Sequence, residues 1–255
     1  MTKGLSDRVV MVTGGASGLG LAIARDLMRE GATVAIVDID GACAEREAQA
    51  LRAAGGRSLG VGADVSKCGE LSDAKKQIED ALGPIEGLVN NAGVAVLGAV
   101  HDTDDGLWRR VMDVNLDGVF YACRAILPSM QARGRGAIVN IASIAGLVGV
   151  PNMAAYCASK GAIIALSRQM AIDYARSGIR VNAIAPGTIG STRMGAALLG
   201  SDLTPEAQAR RLAKYPLGRY AEAGEISKAA VFLLSDDASF ITGTVLTVDG
   251  GMTAY

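Results

Sequence analysis

An excess of charge of either sign is the first thing missing from this 255-residue chain. Its 25 Lys and Arg nearly balance 26 Asp and Glu, so no overall field draws it to nucleic acid or to an anionic membrane surface. Long apolar runs are missing too: none reaches the roughly 18 residues that a membrane-spanning helix requires. The opening MTKGLSDRVVMVTGG holds an apolar run of only about five residues, and no signal peptide is expected from it. Histidine occurs once, as His101, before Asp102-Thr103-Asp104-Asp105; this reads as an exposed helix start, not a catalytic base. The four cysteines, Cys43, Cys68, Cys123 and Cys157, are widely and irregularly spaced. They form neither a CxxC pair nor a metal pattern, so reduced thiols in a cytoplasmic protein are the expectation. Asp104, Asp105, Asp113 and Asp117 fall along one helical pattern with no converging partner, so no metal site is expected there.

What the chain does have is regular alternation. Half of its residues are hydrophobic, enough for a sizeable core. Short β-branched or apolar runs at 8–12, 33–37, 59–62, 87–89, 137–141, 180–185 and 245–248 read as strands. Segments of helical spacing fall between them at 19–30, 41–54, 67–81, 104–133, 154–174 and 222–234, with a break predicted at Pro128. Alternating strand and helix imply an α/β fold, a parallel sheet covered by helices on both faces. No linker, charge block or repeat divides the chain, so residues 1–255 read as a single domain. Segment 188–218 is the least regular and is read as a lid or a substrate-shaping insertion.

Between the first strand and the first helix stands Thr13-Gly14-Gly15-Ala16-Ser17-Gly18-Leu19-Gly20. Glycines here permit a tight turn and close approach of a pyrophosphate, with a helix N-terminus facing the negative charge. The second strand ends at Asp38, close to the spacing of a carboxylate that accepts from the adenosine ribose hydroxyls. A carboxylate there repels a 2′-phosphate, and Ser17 and Ile39 offer no compensating cation, so NAD is favoured over NADP.

Further on, Tyr156 precedes Lys160 by four residues in a stretch, 153–167, with no other charge. On a helix the two share a face. A free tyrosine has a pKa near 10; a neighbouring cation favours the phenolate and brings the group nearer working pH. A helix apolar on nearly every face must be buried, in the core and against another subunit.

Taken in order, the glycine loop T-G-x-x-x-G-x-G, Asn90-Asn91-Ala92-Gly93, Asn115, Ser143, Tyr156-x-x-x-Lys160 and Pro186-Gly187 resemble the short-chain dehydrogenase/reductase family over essentially the whole chain. The resemblance implies a single Rossmann-type, doubly wound parallel sheet of about seven strands, a nicotinamide cofactor, and hydride chemistry between alcohol and ketone. It places catalysis on Asn115, Ser143, Tyr156 and Lys160. Ser143 would hold the substrate oxygen, and Asn115 would help hold a water relaying protons from Lys160. It assigns the cofactor to Gly14, Ser17, Gly18, Leu19, Gly20, Asp38, Ile39, Asp64, Val65, Asn91, Ala92, Gly93, Tyr156, Lys160, Pro186, Gly187, Ile189 and Ser191. At the last position the family often has threonine; here Thr192 follows Ser191, and either hydroxyl fits.

The substrate is expected against Ser143, Ala145, Met153, Tyr156, Thr188 and Met194, with Val94, Ala95, Val96 and Asn152 nearby. These are mostly small or apolar and point to a small, largely uncharged hydroxy or keto compound, cyclic or a polyol. Arg193, Arg210, Arg211 and Lys214 lie in the lid segment, where they would bring charge to the site. Trp108 reads as packing and Cys157 as a small buried filler. Apolar helices 104–133 and 154–174, with the apolar tail 244–255, lead to the expectation of a homotetramer. Two other functions remain open: an NADPH-dependent 3-oxoacyl-carrier-protein reductase, disfavoured by Asp38, and a non-catalytic NAD(H)-sensing protein, disfavoured by retention of Ser143, Tyr156 and Lys160.

Overall fold

The structure, a computed structural model, describes residues 4–199 and 204–254; residues 200–203 of the expected lid, and Tyr255 of the expected apolar tail, lie outside them. Seven strands form one sheet in the order β3-β2-β1-β4-β5-β6-β7, and every neighbouring pair is parallel. The strands are β1 Val9–Thr13, β2 Thr33–Asp38, β3 Ser58–Gly62, β4 Ile85–Asn90, β5 Gly136–Ile141, β6 Ile179–Pro186 and β7 Val245–Val248. The helices are α1 Gly18–Arg29, α2 Gly41–Ala53, α3 Cys68–Leu82, α4 Asp105–Met112, α5 Gly118–Arg133, α6 Ala154–Tyr174, α7 Arg193–Leu199, α8 Pro205–Leu212 and α9 Ala223–Leu234.

The core lies on both faces of the sheet, and β1 divides it by simple alternation. Val9 and Met11 pack with Leu71 and Ile78 of α3, Ile126 and Met130 of α5, and Ile163 and Met170 of α6. Val10 and Val12 face the other way, onto Ile23 and Leu27 of α1, Leu51 of α2 and Ile226 of α9. Burial on both faces explains why the central strands are continuous apolar runs. The strand order reverses direction from β1 outward, to β2 on one side and β4 on the other. Open sheets of this kind form a ligand crevice at that switch point, beyond the carboxyl ends of the strands.

Two expected features differ. Helix 104–133 is not broken at Pro128, which lies inside α5. The irregularity comes earlier, where a π turn at Asp113–Asp117 joins α4 to α5. Segment 188–218 is not structureless: α7 and α8 lie within it. Each starts with a side-chain cap, the Thr192 hydroxyl accepting from Gly195 N–H (3.0 Å) and the Thr204 hydroxyl from Ala207 N–H (3.3 Å).

Candidate active site

Six strand ends, those of β1 to β6, build the site. At the end of β1 the chain turns through Gly14 (φ 60°) and Gly18 (φ 52°), in the left-handed region that favours glycine. The turn is fixed from β4. The Asn91 amide donates to the carbonyls of Thr13 (3.0 Å) and Gly14 (2.9 Å). The Thr13 hydroxyl accepts from the N–H groups of Asn91 (3.1 Å) and Ala92 (3.2 Å). A Cβ on Gly20 would lie 2.1 Å from the Gly14 carbonyl oxygen, and one on Gly14 2.8 Å from Ala92 Cα. These glycines leave the narrow backbone cradle that a pyrophosphate at the start of α1 requires, and the residues present fit a dinucleotide.

At the end of β2 the Asp38 carboxylate turns toward that loop and accepts from Ala16 N–H (3.1 Å) and Asp40 N–H (3.2 Å). It does not cap α2; Asp40 does, accepting from Cys43 N–H (2.9 Å). Ile39 and Ser17 are exposed beside it. Asp64 and Val65 follow β3. Val65 is buried in the core, and one Asp64 oxygen is held by the Ser66 N–H (2.9 Å) and hydroxyl (2.7 Å).

The catalytic candidates converge from β4, the π turn, β5 and α6. Asn115 is fully buried in that turn. Its oxygen accepts from Val94 N–H (2.8 Å), and its amide donates to the Val94 carbonyl (2.9 Å) and the Ser159 hydroxyl (3.1 Å). Its side chain is thus fully committed to clamping the loop after β4 against α6. Ser159 passes the restraint on by donating to the Tyr156 carbonyl (2.8 Å). Gly93 fits close against this group: a Cβ there would stand 3.3 Å from Asn115 Oδ1 and 3.7 Å from Lys160 Nζ.

Ser143, half-buried after β5, hydrogen-bonds the Tyr156 phenol, and its oxygen accepts from Ala145 N–H (3.1 Å). Lys160 is buried; its ammonium donates to the Ile141 carbonyl (2.7 Å) and stands 5.6 Å from the centre of the Tyr156 ring. Burial lowers the Lys160 pKa to about 8. Burial also raises that of Tyr156, a rise that the Ser143 hydrogen bond opposes. The expected lowering of the Tyr156 pKa rests on Lys160 together with the positive charge of an oxidised nicotinamide. In the protein by itself desolvation wins, and further positive charge has to enter to reverse it.

Around the phenol, Ala145, Met153 and Tyr156 form a small apolar cluster with Ala95, Val150 and Cys157. Met194 stands in the first turn of α7. Pro186 ends β6, and Gly187 N–H donates to the Val248 carbonyl (3.1 Å). Ile189 pairs with Ala221. Thr188, expected in the substrate pocket, engages Tyr215, whose hydroxyl donates to Thr188 Oγ1 (2.7 Å). Ser191 is exposed, whereas the side chain of Thr192 stands at Gly18, 3.6 Å from where a Cβ there would lie. Thr192 is therefore the hydroxyl-bearing residue that meets the glycine loop. Its own hydroxyl donates to the Ile189 carbonyl (3.1 Å).

Residues outside the site agree with this picture. His101 is exposed, and Asp104 caps α4 by accepting from Leu107 N–H (2.7 Å). Trp108 is more exposed than a packing residue needs, at 37%. Among the described residues no helix is long and apolar enough to cross a membrane. Thr13, Ser159 and Tyr215 were not singled out from sequence. Thr13 stands inside the quoted glycine motif and Ser159 one residue before Lys160, so both carried a signal.

Fold and site together define a class: a Rossmann-type α/β protein whose glycine loop and buried tyrosine both stand at the carboxyl ends of the parallel strands. A family model described as enoyl-(acyl carrier protein) reductase matches residues 14–253. A 2-(S)-hydroxypropyl-CoM dehydrogenase of Xanthobacter autotrophicus is 54% identical, covering 100% of both chains. A cis-4-hydroxycyclohexanecarboxylate dehydrogenase of Sinomonas cyclohexanicum is 42% identical, again over 100% of each. Among solved structures, a gluconate 5-dehydrogenase of Burkholderia cenocepacia, crystallised with NADP and tartrate, superposes with a TM-score of 0.93 at 34% identity; the match covers 98% of this chain and 96% of that one. The chain belongs to the short-chain dehydrogenase/reductase family and is an oxidoreductase acting on CH–OH groups.

Proposed function

We propose that the protein oxidises a small secondary alcohol to a ketone with NAD, and runs the reverse reduction, using Tyr156 as general base and acid. The observation that carries the reading is the group of buried Tyr156 and Lys160 with half-buried Ser143, on the same sheet end as a glycine loop whose Ala16 N–H donates to the Asp38 carboxylate. When bound, the nicotinamide would supply the hydride acceptor; the protein's residues handle the proton and the orientation. Ser143 orients the hydroxyl and Tyr156 takes its proton. Lys160, with an ammonium that loses its proton near pH 8, favours the phenolate and refills the proton. Asn115 acts by holding the 94–95 loop and α6 in place.

Asp38 supports NAD over NADP, because a carboxylate and a 2′-phosphate repel. The NADP in the gluconate 5-dehydrogenase belongs to that protein. For substrate, the apolar wall of Ala145, Met153 and Cys157 fits a short alkyl flank. Coenzyme M carries an anionic sulfonate, and Arg210, Arg211 and Lys214 on and after α8 supply positive charge on the segment read as the lid. A 2-hydroxypropyl conjugate of coenzyme M is therefore the first compound to try, ahead of cyclic alcohols and polyols. Closure of 188–218 over ligand is expected to protect that segment from protease when NAD and alcohol are both present; unchanged cleavage would remove the lid role. Exposed Val100 (82%) and Ile172 (80%) support self-association, with a homotetramer as the expected mass in sedimentation.

The test is a spectrophotometric screen with both enantiomers of the hydroxypropyl conjugate, cyclopentanol, galactitol and an acetoacetyl thioester, against NAD(H) and NADP(H). NADH formation from a secondary alcohol supports the reading. Thioester reduction with NADPH alone would favour a carrier-protein reductase. Binding of NADH with no turnover of any compound would favour a sensor.

A further inference from the structure

We propose that Tyr215 is a positioning residue: its phenol latches the segment after β6 in the shape that receives the nicotinamide half of the cofactor. The proposal rests on the reading above that residues 186–189 serve that half. Tyr215 stands just beyond α8 yet is buried, at 7% exposure. Its hydroxyl does two things to one residue. It donates to Thr188 Oγ1 (2.7 Å) and accepts from Thr188 N–H (3.3 Å). That fixes the backbone and the side-chain rotamer of Thr188 together.

The ring is as closely fitted as the hydroxyl. A Cβ on Gly187 would lie 3.2 Å from Tyr215 Cε1 and 3.1 Å from Asp249 Cα, so glycine is what lets the ring and the C-terminal loop close on this position. Tyr220 braces the ring edge-on, with centroids 5.5 Å apart at 82°. The neighbouring backbone completes the clamp: Ala221 N–H donates to the Thr188 carbonyl (3.0 Å) and Gly190 N–H to the Ala221 carbonyl (3.1 Å). The support below is also anchored. Leu217 N–H donates to the Gly250 carbonyl (3.2 Å), and the Asp249 carboxylate gathers the N–H groups of Gly251 (3.0 Å) and Thr253 (2.8 Å).

Gly187 still bonds the Val248 carbonyl of β7 (3.1 Å), but the acceptor of the Thr188 N–H is the Tyr215 hydroxyl and not a neighbouring strand. A phenol that donates to and accepts from the same residue holds that residue in place, and misplacement at such a site is costly for binding and reaction alike.

The test uses Tyr215→Phe, which keeps the ring and removes the hydroxyl, with Thr188→Val and Thr188→Ser. Three quantities are measured: NADH affinity, ADP-ribose affinity, and amide hydrogen exchange at 188–190 in cofactor-free protein. ADP-ribose lacks the nicotinamide and reports only on the other half of the cradle. Tyr215→Phe and Thr188→Val are expected to weaken NADH about tenfold, the size of one lost neutral hydrogen-bond pair, to leave ADP-ribose within about twofold, and to speed exchange. Thr188→Ser keeps the acceptor and is expected to behave as wild type. The double variant is expected to be no weaker than either single one. Equal weakening of both ligands, or unchanged NADH affinity with unchanged exchange, would reduce Tyr215 to packing and overturn the proposal. A wild-type protein that binds NADH no better than ADP-ribose would count against the parent reading, while the exchange data still decide the latch.

Discussion

Replacing Lys160 by methionine is expected to abolish turnover and to make the protein more stable at neutral pH. The reason lies in burial: among the described residues the ammonium has one acceptor, the Ile141 carbonyl, and desolvation takes its pKa from 10.5 to about 8. At about 1.4 kcal/mol per tenfold change in proton affinity, carrying the charge costs the fold about 3 kcal/mol below pH 8. Methionine removes that cost and keeps the stem, but leaves the Ile141 carbonyl without its donor, which costs about 1 kcal/mol. The expected net gain at pH 7 is about 2 kcal/mol, readable as a shift in urea midpoint. The pH dependence gives a second, independent reading. Between pH 8 and 10.5 the folded protein has released this proton while the unfolded chain still holds it. Wild-type stability therefore carries a contribution that rises with pH, by about 2 kcal/mol between pH 7 and 9.5. Tyr156, whose pKa is raised by burial, acts in the opposite direction only at the alkaline end; between pH 7 and 9.5 its phenol is protonated in both proteins, so over that window the wild-type-minus-variant difference isolates Lys160. A variant less stable at pH 7, or a difference flat from pH 7 to 9.5, would refute the view that Lys160 is a destabilised group kept for its chemistry.

Other outcomes follow from the same geometry. Asp38→Ser is expected to move the kcat/KM ratio of NAD over NADP by about a hundredfold toward NADP, because a like-charge contact costs several kcal/mol; an unmoved ratio would show that the carboxylate does not face the ribose. Gly20→Ala places a methyl 2.1 Å from the Gly14 carbonyl oxygen and is expected to eliminate NADH binding in a fluorescence titration. Gly69→Ala, where a Cβ meets open space in the first turn of α3, serves as its control and is expected to be neutral or stabilising by up to about 1 kcal/mol.

How much of this was legible in the chain depends on what each element buries. Strands such as VVMVT and TVAIVD are covered on both faces, so unbroken apolar runs betray them. The glycine loop, Asp38 and the Tyr156–Lys160 pair stood out by their offsets from strand or helix ends, whereas Ser143 and Asn115 came only through the family resemblance. The π turn at Asp113–Asp117 was not: one extra residue in a helical turn leaves no mark on composition. Pro128 misled for the opposite reason, since Ile126, Leu127 and Met130 are buried around it and their packing overrides a local preference. Helix α8 did carry a signal, Thr204-Pro205 as cap and first residue, but its short polar stretch lacks an apolar periodicity. Tyr215 was illegible because its partner, Thr188, is 27 residues away and only the folded crevice joins them.

The account stands or falls on the phenolic oxygen of Tyr156. The direct measurement is single-turnover NADH formation by wild type and Tyr156→Phe, at saturating NAD and with an alcohol that the screen identifies, alongside NADH affinity. General acid–base catalysis predicts a rate lower by about 10² to 10⁴ with affinity unchanged. A phenylalanine variant that transfers hydride within about tenfold of the wild-type rate would contradict it.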